Sequence, residues 1–188
     1  LETLAPGGVF AEQDPRGTTA ISSDLDGRPG YSVRVRRAGA STLLQATWYD
    51  TRGDRDLYDG EYAWETRFAH LGGEWLLGDR WVLAGEWARG STTMGLGPRV
   101  DVDFETAYLL ASYDGGAWRA SARFEVFDTD DRDDVADDKN GDSGEALTLA
   151  FLYETQSRWR LGVELLLADG DRRRLLTTGP VETGSTRQ

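Results

Sequence analysis

Trp118-Arg119-Ala120-Ser121-Ala122-Arg123-Phe124-Glu125-Val126-Phe127 puts Trp118, Ala120, Ala122, Phe124 and Val126 at alternate positions, with Arg119, Ser121, Arg123 and Glu125 between them. Side chains alternate across a β-strand with period two, so this stretch separates an apolar phase from an aqueous one. In a soluble sheet the apolar side forms a core. In a transmembrane barrel it faces lipid, and the charged side lines a watery lumen.

The same alternation runs outward in both directions. Tyr31, Val33 and Val35 oppose Ser32, Arg34 and Arg36, and Leu44, Ala46 and Trp48 oppose Gln45, Thr47 and Tyr49. Tyr62, Trp64, Thr66 and Phe68 oppose Ala63, Glu65 and Arg67, while Trp81, Leu83 and Trp87 oppose Val82, Ala84 and Glu86. Val102, Phe104, Tyr108 and Leu110 oppose Asp103, Glu105 and Ala107. Leu147, Leu149, Phe151 and Tyr153 oppose Thr148, Ala150 and Glu154; Trp159, Leu161, Val163, Leu165 and Leu167 oppose Arg160, Gly162 and Glu164. Strands are therefore predicted near 31–38, 42–50, 61–72, 80–90, 101–113, 117–128, 145–155 and 158–168.

Short connections fall at 38–41, 77–79, 114–116 and 155–157, and longer ones at 51–60, 91–100, 129–144 and after 168. Outer-membrane barrels show this asymmetry of rims. Residues 1–30 carry Pro6, Gly7, Gly8, Pro15, Gly17, Gly27, Pro29 and Gly30 and read as mostly irregular, with room for a short strand at Val9-Phe10. Residues 176–188 read as a loop or truncated tail. The expected fold is all-β: an antiparallel up-and-down meander of about eight strands over 31–175, forming a transmembrane β-barrel or part of one.

Composition narrows the function. A chain of 188 residues suffices for one domain. It has no Cys, which removes disulfides and thiolate metal sites, and no run approaches the ~18 apolar residues of a spanning helix. A net charge of −12 opposes binding to nucleic-acid phosphates, so no nucleic-acid partner is expected. Residues 128–142 hold eight Asp against Arg132 and Lys139, half of that charge, and read as a solvated loop. Asp138, Asn140 and Asp142 alternate as calcium ligands can, but Gly141 and Gly144 miss the glycine position of an EF-hand loop. No metal site and no cofactor are therefore expected.

Lys139 is the only Lys, so the mid-strand cations are Arg. Arg34, Arg36, Arg67, Arg119, Arg123 and Arg160 match Glu65, Glu86, Asp103, Glu105, Glu125 and Glu164 in number, and these twelve are the candidate pore-lining residues. Arg forms forked pairs with carboxylates and suits confined ion-pair ladders. Trp81, Trp118 and Trp159 each begin a strand after a short turn. Trp48, Tyr62, Trp64, Tyr153, Phe104 and Phe127 read as lying towards the long-loop ends, completing two interfacial belts.

Tyr62–Phe68, Trp81–Met94 and Asp103–Tyr108, with the later hairpins at Ala117–Asp128 and Glu145–Arg172, resemble a proteobacterial outer-membrane porin-type barrel over residues 30–175. The resemblance implies a location in the outer membrane of a Gram-negative bacterium, contact with its lipid, and passage of small hydrophilic solutes or ions. Porin-type barrels usually have more strands and end in a C-terminal aromatic, whereas this chain ends Ser185-Thr186-Arg187-Gln188. A partial chain, the C-terminal half without its last strand, is the expectation. Two alternatives stay open: a soluble lipocalin-like barrel, and a small outer-membrane enzyme or adhesin. Catalysis has little support, since His70 is the only His and neither Ser112 nor Ser121 is placed beside it by sequence.

Overall fold

In a computed structural model of the chain, the structure describes residues 26–58, 61–97, 99–133, 135, 141–155, 159–174 and 182–187. The expected irregular segment therefore falls, through residue 25 and with Val9-Phe10, outside the described residues. The strands are β1 (Tyr31–Ala38), β2 (Thr42–Asp50), β3 (Leu57–Tyr58), β4 (Glu61–Tyr62), β5 (Trp64–Leu77), β6 (Trp81–Met94), β7 (Val100–Asp114), β8 (Trp118–Asp131), β9 (Asp142–Glu154), β10 (Arg160–Arg174) and β11 (Glu182–Arg187). Among the described residues there is no helix. One antiparallel meander runs β1-β2-β5-β6-β7-β8-β9-β10-β11, and β3-β4 is a separate small hairpin. The all-β antiparallel meander read from the sequence is the fold, and its sheet is open, with β1 and β11 as the outer strands.

Two boundaries differ from expectation. The sheet gains a ninth strand, β11, where a loop or tail was expected. Its residues Glu182-Thr183-Gly184-Ser185-Thr186-Arg187 lack apolar alternation, and only its backbone pairing with Asp169–Arg174 of β10 defines it. The strands also run longer than the alternation indicated. β6 continues to Met94 and β7 begins at Val100, so the expected long connection at 91–100 shrinks to 95–99, closed by Arg99 N–H donating to Met94 O at 2.9 Å.

The short turns share one rim. At β7–β8, the Asp114 carboxylate accepts from Gly116 N–H at 2.8 Å, and Gly116 takes φ 88°, a conformation costly for any residue with a Cβ. Register shows how the rim descends. Along the cross-strand row Arg37–Leu44–Gly73–Gly85–Leu109–Phe124–Leu147–Leu167, the short-turn end lies one residue beyond Arg37, four beyond Gly73, five beyond Leu109 and seven beyond Leu147. That is about one residue, or ~3.3 Å, for each ~4.8 Å step between strands, so a level rim requires strands tilted by about 35°. Barrel walls have such a tilt.

No core accompanies this sheet. Among the described residues the only buried hydrophobics are Tyr62 and Ala63, and no large side chain is fully enclosed. Leu109 is 72% exposed, Val35 68% and Val163 67%.

Candidate functional site

Directly paired residues of an antiparallel sheet share a face, so register sorts every strand residue. One face carries Val33, Val35, Leu44, Ala46, Trp48, Leu71, Trp75, Leu77, Trp81, Leu83, Trp87, Leu109, Ala111, Tyr113, Trp118, Ala120, Ala122, Phe124, Val126, Leu147, Leu149, Phe151, Tyr153, Leu161, Val163, Leu165 and Leu167. It forms an unbroken apolar band across eight strands. Near the short turns, rings pack from strand to strand: Trp81 tilted against Tyr113 (4.9 Å between centroids), Tyr113 tilted against Trp118 (5.4 Å), and Trp118 stacked on Phe151 (5.9 Å).

The opposite face holds eight of the twelve candidate pore-lining residues: Arg34, Arg36, Glu86, Arg119, Arg123, Glu125, Arg160 and Glu164. Three of their cations, Arg119, Arg123 and Arg160, are compensated locally. Arg119 meets Asp114 at 3.2 Å, Arg160 pairs with Glu154, and Arg123 pairs with Glu125. The Arg123 guanidinium also lies 4.6 Å above the Tyr108 ring, and Arg34 Nε donates to Thr47 Oγ1 at 3.2 Å. Cross-strand hydroxyls fill the gaps, with Ser121 Oγ to Ser112 Oγ at 2.8 Å and Thr66 Oγ1 to Thr92 Oγ1 at 2.9 Å.

The remaining four, Glu65, Arg67, Asp103 and Glu105, lie on the other face, in line with Trp81 and Trp118. This corrects the sequence reading. In β5 and β7 the alternation changes parity partway: Trp64 and Phe68 precede Ala69, Leu71, Trp75 and Leu77, and Phe104 precedes Ala107, Leu109, Ala111 and Tyr113. These strands have 14 and 15 residues and outrun the apolar band, and beyond it polarity is exchanged between the faces. Above the band, Arg67–Glu65 (3.5 Å), Arg89–Glu105 (3.8 Å) and Arg132–Asp103 form a charged collar, and Trp87 Nε1 donates to Glu105 Oε1 at 2.7 Å. Val102, Phe104, Tyr108 and Leu110 correspondingly belong to the charged face.

The belt aromatics divide as well. Trp48, Trp81 and Trp118 are on the apolar face, and Trp159 leads into β10 at the short-turn rim. Trp64 is on the charged face, and Tyr62, only 6% exposed, is buried at the β3–β4 hairpin. Tyr153 pairs with Trp118 and Leu161 near the short turns, not the long loops. Tyr49, Phe68 and Phe104 pack together on the charged face at its long-loop end, with centroids 5.0 and 6.4 Å apart.

His70 Nε2 lies 3.5 Å from Glu86 Oε2. Its row meets β6 at Ala88, whereas Ser112 meets β6 at Val82, six residues along the strand and about 20 Å away. His70 and these serines are thus held apart. Among the described residues no three His, Asp or Glu are grouped to hold a metal. Asp138 and Asn140 of the acidic loop fall outside the described residues. Within that loop the Asp133 carboxylate, 8% exposed, accepts from Asp101 N–H (3.2 Å) and Val135 N–H (2.9 Å).

The other long connection is organised by Asp54, whose carboxylate accepts from Tyr58 OH and from Asp56 N–H at 3.0 Å and faces Arg28 at 3.5 Å. The Tyr58 hydroxyl and the Asp56 amide hold the Asp54 carboxyl below its ordinary value, and the same bond pushes Tyr58 up to about 12. Sequence reasoning missed Asp54, Trp75 and Arg37. The signal for Trp75 was present: Leu71, Gly73, Trp75 and Leu77 keep period two, but Gly72-Gly73 reads as a strand end. No protein-family model matches this chain, and neither do curated proteins or solved structures.

Proposed function

We propose that this chain forms wall of a bacterial outer-membrane, porin-like channel that passes small hydrophilic solutes. The observation that carries the reading is the exposed apolar band, continuous across eight antiparallel strands and backed by a face of paired Arg and acidic groups. The band's residues are exposed on the open sheet, and a contiguous apolar surface of this extent calls for a covering phase. Lipid supplies the missing burial, and the polar face then borders water.

Because Arg119, Arg123 and Arg160 each have an acid close by, the passage selects weakly between ions, and the Asp-rich loop 128–142 biases the mouth towards cations. Conductance in a planar bilayer tests this. Neutralising the loop aspartates should lower cation preference, and replacing Arg119 and Arg123 by Gln should raise it.

A second reading has its own observation. β11 pairs with β10 only beyond Ala168, so eight strands cross the apolar band, and the outer two at that level, β1 and β10, run in opposite directions. Closing them on each other would give an eight-stranded barrel, whose interior side chains fill. Insertion without conductance would favour that structural or adhesive barrel over the pore.

A further inference from the structure

The apolar band is not smooth. Along the row Arg37–Leu44–Gly73–Gly85–Leu109, two adjacent strands present glycine where their neighbours present side chains. The result is a trench of about 740 Å³ running from β1 to β7, with Trp75 on one side and Trp87 on the other. The two glycines let neighbouring side chains fold down over them, Trp75 over Gly73 and Leu109 over Gly85, and these side chains form the floor. A Cβ on Gly73 would lie 2.6 Å from the Trp75 ring, and one on Gly85 would lie 2.9 Å from Leu109 Cδ2.

The trench is polarised. Arg37 stands at one end, one residue from the short-turn rim, and among the described residues no acidic group pairs with it. Leu109, at the other end, is five residues from the rim. Four strand spacings separate them, about 19 Å, the reach of a long acyl chain. With strands tilted by about 35°, the trench descends about 11 Å from the rim into the band. A fixed cation at interfacial depth above an apolar slot matches one amphiphile in both chemistry and direction.

We propose that this trench is an anionic-phospholipid site, with the Arg37 guanidinium on the phosphate and one acyl chain along the groove between Trp75 and Trp87. The assignment rests on the membrane reading above. Guanidinium forks match phosphate oxygens, and the Arg stem can follow the apolar surface to the interface.

The test uses the full chain in phosphatidylcholine vesicles carrying a low fraction of chain-brominated phosphatidylglycerol, which quenches nearby Trp. The expected result is saturable quenching that falls when Trp75 and Trp87 are changed to Phe. Arg37→Gln should weaken it about tenfold, as for a lost charge-assisted contact. Gly85→Leu should reduce it by pushing Leu109 up into the trench, and Arg37→Gln, which leaves the sheet untouched, keeps the test decisive if Gly85→Leu fails to fold. Unchanged saturable quenching in Arg37→Gln and in folded Gly85→Leu would overturn the site. If general quenching in fully brominated vesicles persists in that case, the membrane reading survives. Absence of that general quenching would overturn both. Inorganic phosphate should not compete, and displacement by it would reduce the trench to an anion seat and reject the acyl chain.

Discussion

Single atoms decide much of this molecule because the sheet has no core to absorb error. Gly90 faces Phe68 and Phe104 across its neighbours, and a Cβ there would run into the Arg67 carbonyl and lie 2.7 Å from Phe104 Cζ. Gly90→Ala should therefore cost about 1–3 kcal/mol, by the rule for inserting a group into a packed contact, read as a lower denaturation midpoint in lipid or detergent. Asp54 offers a pH signature. Its folded value is depressed, so its contribution is present above the ordinary 3.8 and lost as pH falls through that lower value. Tyr58 has the opposite sign: its contribution is present below the ordinary 10.0 and lost as pH rises through about 12. Tyrosinate absorbance should show the late-titrating population shrink by one tyrosine in Asp54→Asn relative to the wild type.

Along a single strand, adjacent residues stand on faces of opposite polarity. Leu149 pairs with Ala122 and Leu165 on the apolar face, while Ala150 pairs with Ser121 and Glu164 on the charged one. Leu149→Arg should cost about 2–4 kcal/mol of folding free energy in lipid vesicles, whereas Ala150→Arg, facing Glu164, should change it by under about 1 kcal/mol. Equal costs would contradict the assignment of the two faces. Strands were legible in the sequence wherever polarity kept one parity, as in Trp118–Val126 and Leu161–Leu167. They were misread where parity changed, as at Phe68-Ala69, because period two identifies a face only within one solvent phase. The Asp54–Tyr58 contact and the Arg37 trench were not legible: the first depends on loop conformation, the second on which glycines register brings together.

At the scale of the whole molecule, the meander needed only alternation and turn chemistry to be foreseen, since neighbouring hairpins pair in chain order. Its tilt came from the register alone, which no local pattern reveals. That tilt has a further consequence. The longest uninterrupted apolar runs, such as Trp118 to Val126, cover nine residues of strand. Under the proposed membrane placement, such a run, inclined by about 35°, would reach only about 22 Å along the membrane normal, less than the ~30 Å hydrocarbon of an average bilayer. Hydrophobic mismatch then becomes a sorting force. Vesicles of twelve- or fourteen-carbon lipids should take up this chain faster and more completely than eighteen-carbon ones, measured by the loss of its water-exposed Trp emission. In a membrane of uneven thickness it would collect in the thinnest patches and pinch the thicker ones around itself.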